Sequence, residues 1–223
     1  MILKAEGISK KYYRPTRNSS HFEAVKKLDF TLESGTLTEV TGRSGSGKST
    51  LLYMLSGLLK PSEGKILLDG LDLYALSDFE LSRIRNQKIG VIPQGQTGLF
   101  ALTVLQNVLA PVSLYADSEP YKKRAEELLE LVGISELTNA KMSELSGGEM
   151  RRMAIARALI MDPDFIFADE PTDDLDDENT KAVLELLQKT AKSGKSVFLV
   201  THESTAAMYA DSVYRMDAGI LKE

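Results

Sequence analysis

The chain has no cysteine among its 223 residues, which excludes a disulfide framework and any metal site built on thiolates. Histidine is nearly as scarce, with two copies, His21 and His202. No stretch approaches the roughly 18 consecutive apolar residues that mark a membrane-spanning helix. The opening residues, MILKAEGISKKYY, become charged before any apolar run develops, so they do not read as a signal peptide. An excess of positive charge is also missing. The net charge is −5, which gives no electrostatic footprint for DNA or RNA, and no nucleic-acid partner is expected. The lack of cysteine suits a cytosolic location.

What is present is ordinary globular material, 43% hydrophobic and 26% charged, enough for a sizeable core in one large domain or one domain with an inserted lobe. The organising stretch is Gly42 to Thr50, GRSGSGKST, which fits G-x-x-x-x-G-K-[ST]. Small residues let successive backbone N–H groups turn inward around a phosphate chain, and the helix that follows adds its positive dipole end. Gly42, Arg43, Ser44, Gly45, Ser46, Gly47, Lys48, Ser49 and Thr50 are therefore expected to bind a nucleotide. Lys48 reaches the β- and γ-phosphates, and Ser49 ligates Mg²⁺. The β-rich Leu37–Thr41 run before the motif and the apolar Leu51–Leu55 helix after it supply the required strand–loop–helix context.

Elsewhere the pattern predicts an edge strand over Ile2–Ser9 and a polar loop over Arg14–Phe22. Strands are expected at Lys27–Leu32, Lys65–Leu68 and Lys88–Ile92. Ser77 and Glu80 form a capping-box signature for a helix to Asn86. Thr103 to Ile160 is mainly helical, best seen over Glu119–Val132, which closes at Gly133. Apolar runs at Phe165–Ala168 and Ser196–Val200 suit strands buried on both faces of a parallel sheet, with a helix over Asp176–Ala191 between them. The fold class is α/β with a helical insertion.

A second acidic site follows the Phe165–Ala168 strand. Asp169 sits at its C-terminal end, where ligands bind in open α/β sheets, and is expected to hold Mg²⁺. Glu170 then faces the γ-phosphate as a general base. Leu145-Ser146-Gly147-Gly148-Glu149 precedes another helix, and Ser146 caps it while the two glycines expose N–H groups for a second anion. A second anion site this distant in the chain needs a second phosphate, which a head-to-tail dimer supplies.

With these motifs the chain resembles the ATP-binding-cassette family of nucleotide-binding subunits over nearly its whole length. The resemblance implies a P-loop NTPase core with a mostly parallel sheet and flanking helices, an antiparallel N-terminal β subdomain and an inserted α-helical lobe. It places the core at 1–93 and 162–223, and the lobe at about 94–161. It implies ATP and Mg²⁺ as cofactors, and Tyr12, with Tyr13 an alternative, as the aromatic under adenine. Gln94 becomes a catalytic residue that touches Mg²⁺ and links core to lobe, and His202 the histidine at the γ-phosphate. Ser146, Gly147, Gly148 and Glu149 contact ATP held by the other copy. The residues from Gly95 to Phe100 meet a membrane partner. Asp173-Asp174-Leu175-Asp176 replaces the usual Gly-Asn-Leu-Asp of the loop that crosses the dimer, and Arg151 and Arg152 are candidates to offset its extra acids.

The Ala-Asp-Glu-Pro-Thr run and the short segment after His202 look most like the subtype serving lipoprotein release, macrolide export and antimicrobial-peptide resistance. The implied function is ATP hydrolysis that powers separate integral-membrane permease subunits, from the cytoplasmic face of the cell membrane. A cell-division-type cassette that regulates a membrane partner without transporting anything fits the same residues.

Overall fold

The computed structural model describes residues 1–14, 20–95 and 97–223, the side chains at 14, 20 and 204 excepted. Pro15, Asn18 and Ser19 of the expected polar loop lie outside the described residues, as does Gln96.

Two sheets carry the fold. The first has the strand order β2-β1-β4-β5, formed by β1 (Ile2–Arg14), β2 (Ser20–Glu33), β4 (Glu63–Leu68) and β5 (Leu71–Asp72). It is antiparallel throughout. The first strand is thus not an edge strand: β1 lies between β2 and β4, and it runs on to Arg14 rather than stopping at Ser9. The β2 strand likewise begins at Ser20, so the polar loop is shorter than its composition suggests. Cross-strand pairing brings Tyr12 opposite Phe22 and Tyr13 opposite His21.

The second sheet has the order β10-β9-β3-β8-β7-β6. Its members are β3 (Leu37–Thr41), β6 (Ile89–Ile92), β7 (Phe165–Asp169), β8 (Ser196–Val200), β9 (Ser212–Asp217) and β10 (Ile220–Lys222). All neighbours are parallel except β10, which runs antiparallel to β9. The continuous apolar runs are explained by burial on both faces. Phe165, Phe167 and Phe198 pack toward the antiparallel sheet, together with Leu51, Leu52 and Met54 of α1 (Lys48–Leu55). The alternate residues Ile166, Ala168, Val197 and Leu199 face the other way, into a core shared with the helices beyond. Successive side chains on a strand must point to opposite faces, so one short run serves two cores.

Of the helices, α2 (Asp78–Lys88) starts at the expected Ser77–Glu80 capping box, and its last residue, Lys88, is helical rather than part of the following strand. The helices α3 (Val104–Ser113), α4 (Lys122–Leu131) and α5 (Gly147–Leu159) pack on one another through Val108, Leu129 and Met153. The expected Glu119–Val132 helix divides into a 3₁₀ turn at Glu119–Tyr121, where Pro120 sits, and α4. Gly133 then turns the chain at φ 69°. Finally α6 (Asp177–Lys192) covers the sheet with Val183, Leu184 and Leu187, after Asp176 caps it by accepting from the Asn179 N–H at 2.8 Å.

Candidate active site

Four chain segments leave the C-terminal ends of four adjacent parallel strands. In spatial order they are the glycine loop after β3, Thr201-His202 after β8, Asp169-Glu170 at the end of β7 and Pro93-Gln94 after β6. Distant sequence positions therefore meet along one sheet edge, the usual place for a ligand in such sheets. Gly42, Ser44, Gly45, Gly47, Lys48, Ser49 and Thr50 line one cleft with Gln94, Glu170 and His202, and Tyr12, Phe22 and Ala24 line it as well.

The loop's glycines are required sterically. At Gly42, with φ 151°, a Cβ would strike the Met216 carbonyl, and at Gly47, with φ 111°, it would strike that of Ala24. The loop is thus squeezed between β2 and β9. The Gly219 N–H donates to the Ser46 carbonyl at 2.9 Å and adds to this support. The Lys48 ammonium, on a residue 8% exposed, donates to the Gly42 carbonyl at 2.8 Å and turns inward over the loop.

Ser49 Oγ donates to Asp169 Oδ1 at 3.1 Å. Asp169 is fully buried, and among the described residues its Oδ2 has no hydrogen-bond partner at ordinary distance, although the Tyr53 hydroxyl lies close to the carboxylate. Burial raises the Asp169 pKa; Ser49, Tyr53 and then the Lys48 and Arg151 charges oppose that shift. Burial and the same carboxylate push Tyr53 up to about 12. A hydroxyl beside a buried carboxylate with one orphaned oxygen is a donor set suited to a hard divalent cation such as Mg²⁺.

Glu170 has φ 49°, unusual for a residue with a side chain. Its N–H donates to the Val200 carbonyl at 2.8 Å, which holds that conformation. Its Oε2 accepts from the His202 backbone N–H at 3.1 Å and lies 3.0 Å from His202 Nδ1. The side chain of His202 is 64% exposed and that of Glu170 only 9%. Asp173 Oδ1 stands 4.0 Å from the same imidazole nitrogen.

Of the two tyrosines left open by the sequence, Tyr12 lines the cleft, with its ring stacked on Phe22 at 6.0 Å and 21°. Tyr13 pairs instead with His21 on the other side of β1. Phe22 and Tyr53 were not expected here. Phe22 becomes visible once the Tyr12–Phe22 register is known, whereas Tyr53 gave no signal beyond an apolar helix position.

Ser146, Gly147 and Gly148 are elsewhere. They line a separate cleft with Arg152, Asp174 and Asp176 that shares no lining residue with the first. Ser146 accepts from the Glu149 N–H at 3.3 Å, while Glu149 Oε2 accepts from the Ser146 N–H at 2.7 Å, a complete capping box. Arg152 donates to Asn179 at 2.8 Å and its charge reaches Asp176, so it does face the acidic loop. Arg151 does not: it points back to Pro93.

A family model described as ABC transporter matches residues 25–173. The chain belongs to the ABC transporter family. Among ABC relatives, the lipoprotein-releasing system ATP-binding protein LolD of Leptospira interrogans is 42% identical over 198 residues, covering 88% of this chain and 83% of that protein. LolD of Aquifex aeolicus is 40% identical over 98% of this chain and 95% of its own length. A dimeric post-hydrolysis structure of the ATP-binding cassette MJ0796 with ADP and Pi superposes with a TM-score of 0.91 at 33% identity, over 99% of this chain and 98% of that one. The α/β architecture, the ATP-binding-cassette assignment and membership of an ATPase family all follow.

Proposed function

We propose that this chain binds Mg-ATP in the Tyr12-to-His202 cleft, hydrolyses it within a head-to-tail homodimer, and so drives separate integral-membrane permease subunits from the cytoplasmic face of the cell membrane. The relatives named for lipoprotein release favour an export system acting on lipid-linked or amphipathic cargo.

The observation that carries the reading is the separation of the two anion sites. The glycine loop and the Ser146 turn lie in distinct clefts of one chain, so a nucleotide held by Lys48 meets Ser146, Gly147, Gly148 and Glu149 only from a second copy. Residues 1–93 and 162–223 act as the catalytic core, and about 94–161 as the lobe that carries the Ser146 turn and faces the permease.

Each residue has its task. Tyr12, backed by Phe22, stacks on the base. Loop N–H groups and Lys48 hold the phosphates. Ser49 and Asp169, with Gln94 alongside, hold Mg²⁺, which neutralises charge developing on the phosphates. Glu170 takes the proton of the attacking water, and His202, anchored to it, stands at the γ-phosphate.

Light scattering on Glu170→Gln tests this reading. A shift from monomer to dimer with Mg-ATP, and slow turnover, is the expected result. A protein that stays monomeric at saturating Mg-ATP and retains wild-type turnover would overturn it.

A further inference from the structure

Arg151 is 4% exposed, near the start of α5, five positions after Ser146. A buried guanidinium has few ways to be satisfied. Its Nη1 donates to the carbonyl of Pro93 at 2.8 Å, the residue directly before Gln94. Further along α5, Arg157 donates from Nη1 to the Thr97 carbonyl at 2.7 Å and from Nη2 to Thr97 Oγ1 at 2.9 Å. The two arginines are about 9 Å apart along the helix axis at 1.5 Å per residue. One helix thus grips the chain on both sides of Gln94.

We propose that Arg151 is a positioning residue for Gln94, tying the backbone that presents this glutamine to the helix that begins at Ser146. The inference rests on the reading of Gln94 and Ser146 as ATP-site residues. The acceptor is a main-chain carbonyl, so the tether fixes the path of the chain rather than one rotamer. Ser146 serves the ATP held by the other copy, whereas Gln94 serves the chain's own. A pull on the Ser146 turn is carried along the first turns of a rigid helix to Pro93, and so from one ATP site to the glutamine of the other. The tether does not require a fork: a lysine at 151 retains a donor for Pro93.

The test is a double-mutant cycle in steady-state hydrolysis over a Mg-ATP titration, using Arg151→Gln, Gln94→Ala and both together, with Arg151→Lys beside them. The expected result is a fall of about tenfold for Arg151→Gln with KM nearly unchanged, the size seen for coupling through packed networks. No further loss should appear in the Gln94→Ala background, and Arg151→Lys should recover most of the rate. Wild-type turnover in Arg151→Gln, beside an impaired Gln94→Ala, overturns the inference and leaves the site reading standing. Losses that multiply in the double variant, or a lysine variant that fails to recover, also overturn it, since Arg151 then supports the fold and not the glutamine. Wild-type turnover in Gln94→Ala removes the underlying reading of Gln94 instead.

Discussion

Glu170 and His202 form one unit: a single carboxylate oxygen, Oε2, takes both the backbone N–H of His202 at 3.1 Å and its ring Nδ1 at 3.0 Å. The acid comes from the end of β7 and the histidine from the loop after β8, strands paired in parallel register. Removing the ring leaves the backbone bond but frees the carboxylate to turn. His202→Ala should therefore lower kcat by about 10²-fold or more, the range for misplaced general acid–base groups, while nucleotide affinity stays close to wild type. Steady-state hydrolysis and fluorescent-nucleotide titration measure the two quantities. An equal loss in both would move His202 from chemistry to binding.

Asp169 carries the metal prediction. Its unpartnered Oδ2 and the neighbouring Ser49 hydroxyl should make hydrolysis by Asp169→Asn require far more Mg²⁺ for half-maximal rate, tenfold or greater. Nucleotide binding measured without Mg²⁺ should change little, because Lys48 and the loop N–H groups remain. A Mg²⁺ titration of the variant and the wild type decides.

The base platform separates the two adjacent tyrosines. Tyr12→Ala removes a ring that lines the cleft and stacks on Phe22, whereas Tyr13→Ala removes one that pairs with His21. The first should weaken ATP by about 0.5–1.5 kcal/mol, as expected for lost aromatic stacking, and the second should be neutral. Calorimetric titration with ATP reads both.

Glu39 yields a pH prediction. It is fully buried in β3, flanked in register by Leu199 and Val213, and among the described residues neither carboxylate oxygen has a hydrogen-bond partner. Burial pushes its pKa up to about 7. Since the folded value lies above the ordinary one, the folded chain binds this proton more tightly than the unfolded chain. The associated stability is complete below the unfolded value and is lost as pH rises through about 7. Glu39→Gln should match the wild type near pH 5 and melt about 5 °C higher near pH 8.5, at ~2–4 °C per kcal/mol for a chain of this size. A melting difference that does not change with pH would contradict this assignment.

The sequence made legible whatever chemistry or two-faced burial writes locally. The glycine loop was visible because its spacing matches G-x-x-x-x-G-K-[ST], and β7 and β8 because burial on both faces leaves no polar position. The Ser77–Glu80 and Ser146–Glu149 caps were readable for the same local reason. Hidden features depended on partners far along the chain. The central place of β1 is set by pairing with both β2 and β4. The strands β9 and β10 are made of exposed and half-covered residues, with Met216 of β9 as their one buried position, and give only a weak apolar signal. Phe22, Tyr53 and Arg151 acquire meaning from what folding brings beside them: a ring, a carboxylate and a carbonyl.

Met216, the buried residue whose carbonyl crowds Gly42, also sends its methyl carbon toward Gly47, where a Cβ would come within 3.0 Å of it. The glycine loop thus has a methyl group of the penultimate strand as its neighbour, inside a chain with eight methionines in all. Selective ¹³C labelling of methionine methyl groups would give a sparse spectrum with the Met216 resonance against the glycine loop. Ligand occupancy could then be followed in the intact protein, through an atom that takes no part in the chemistry.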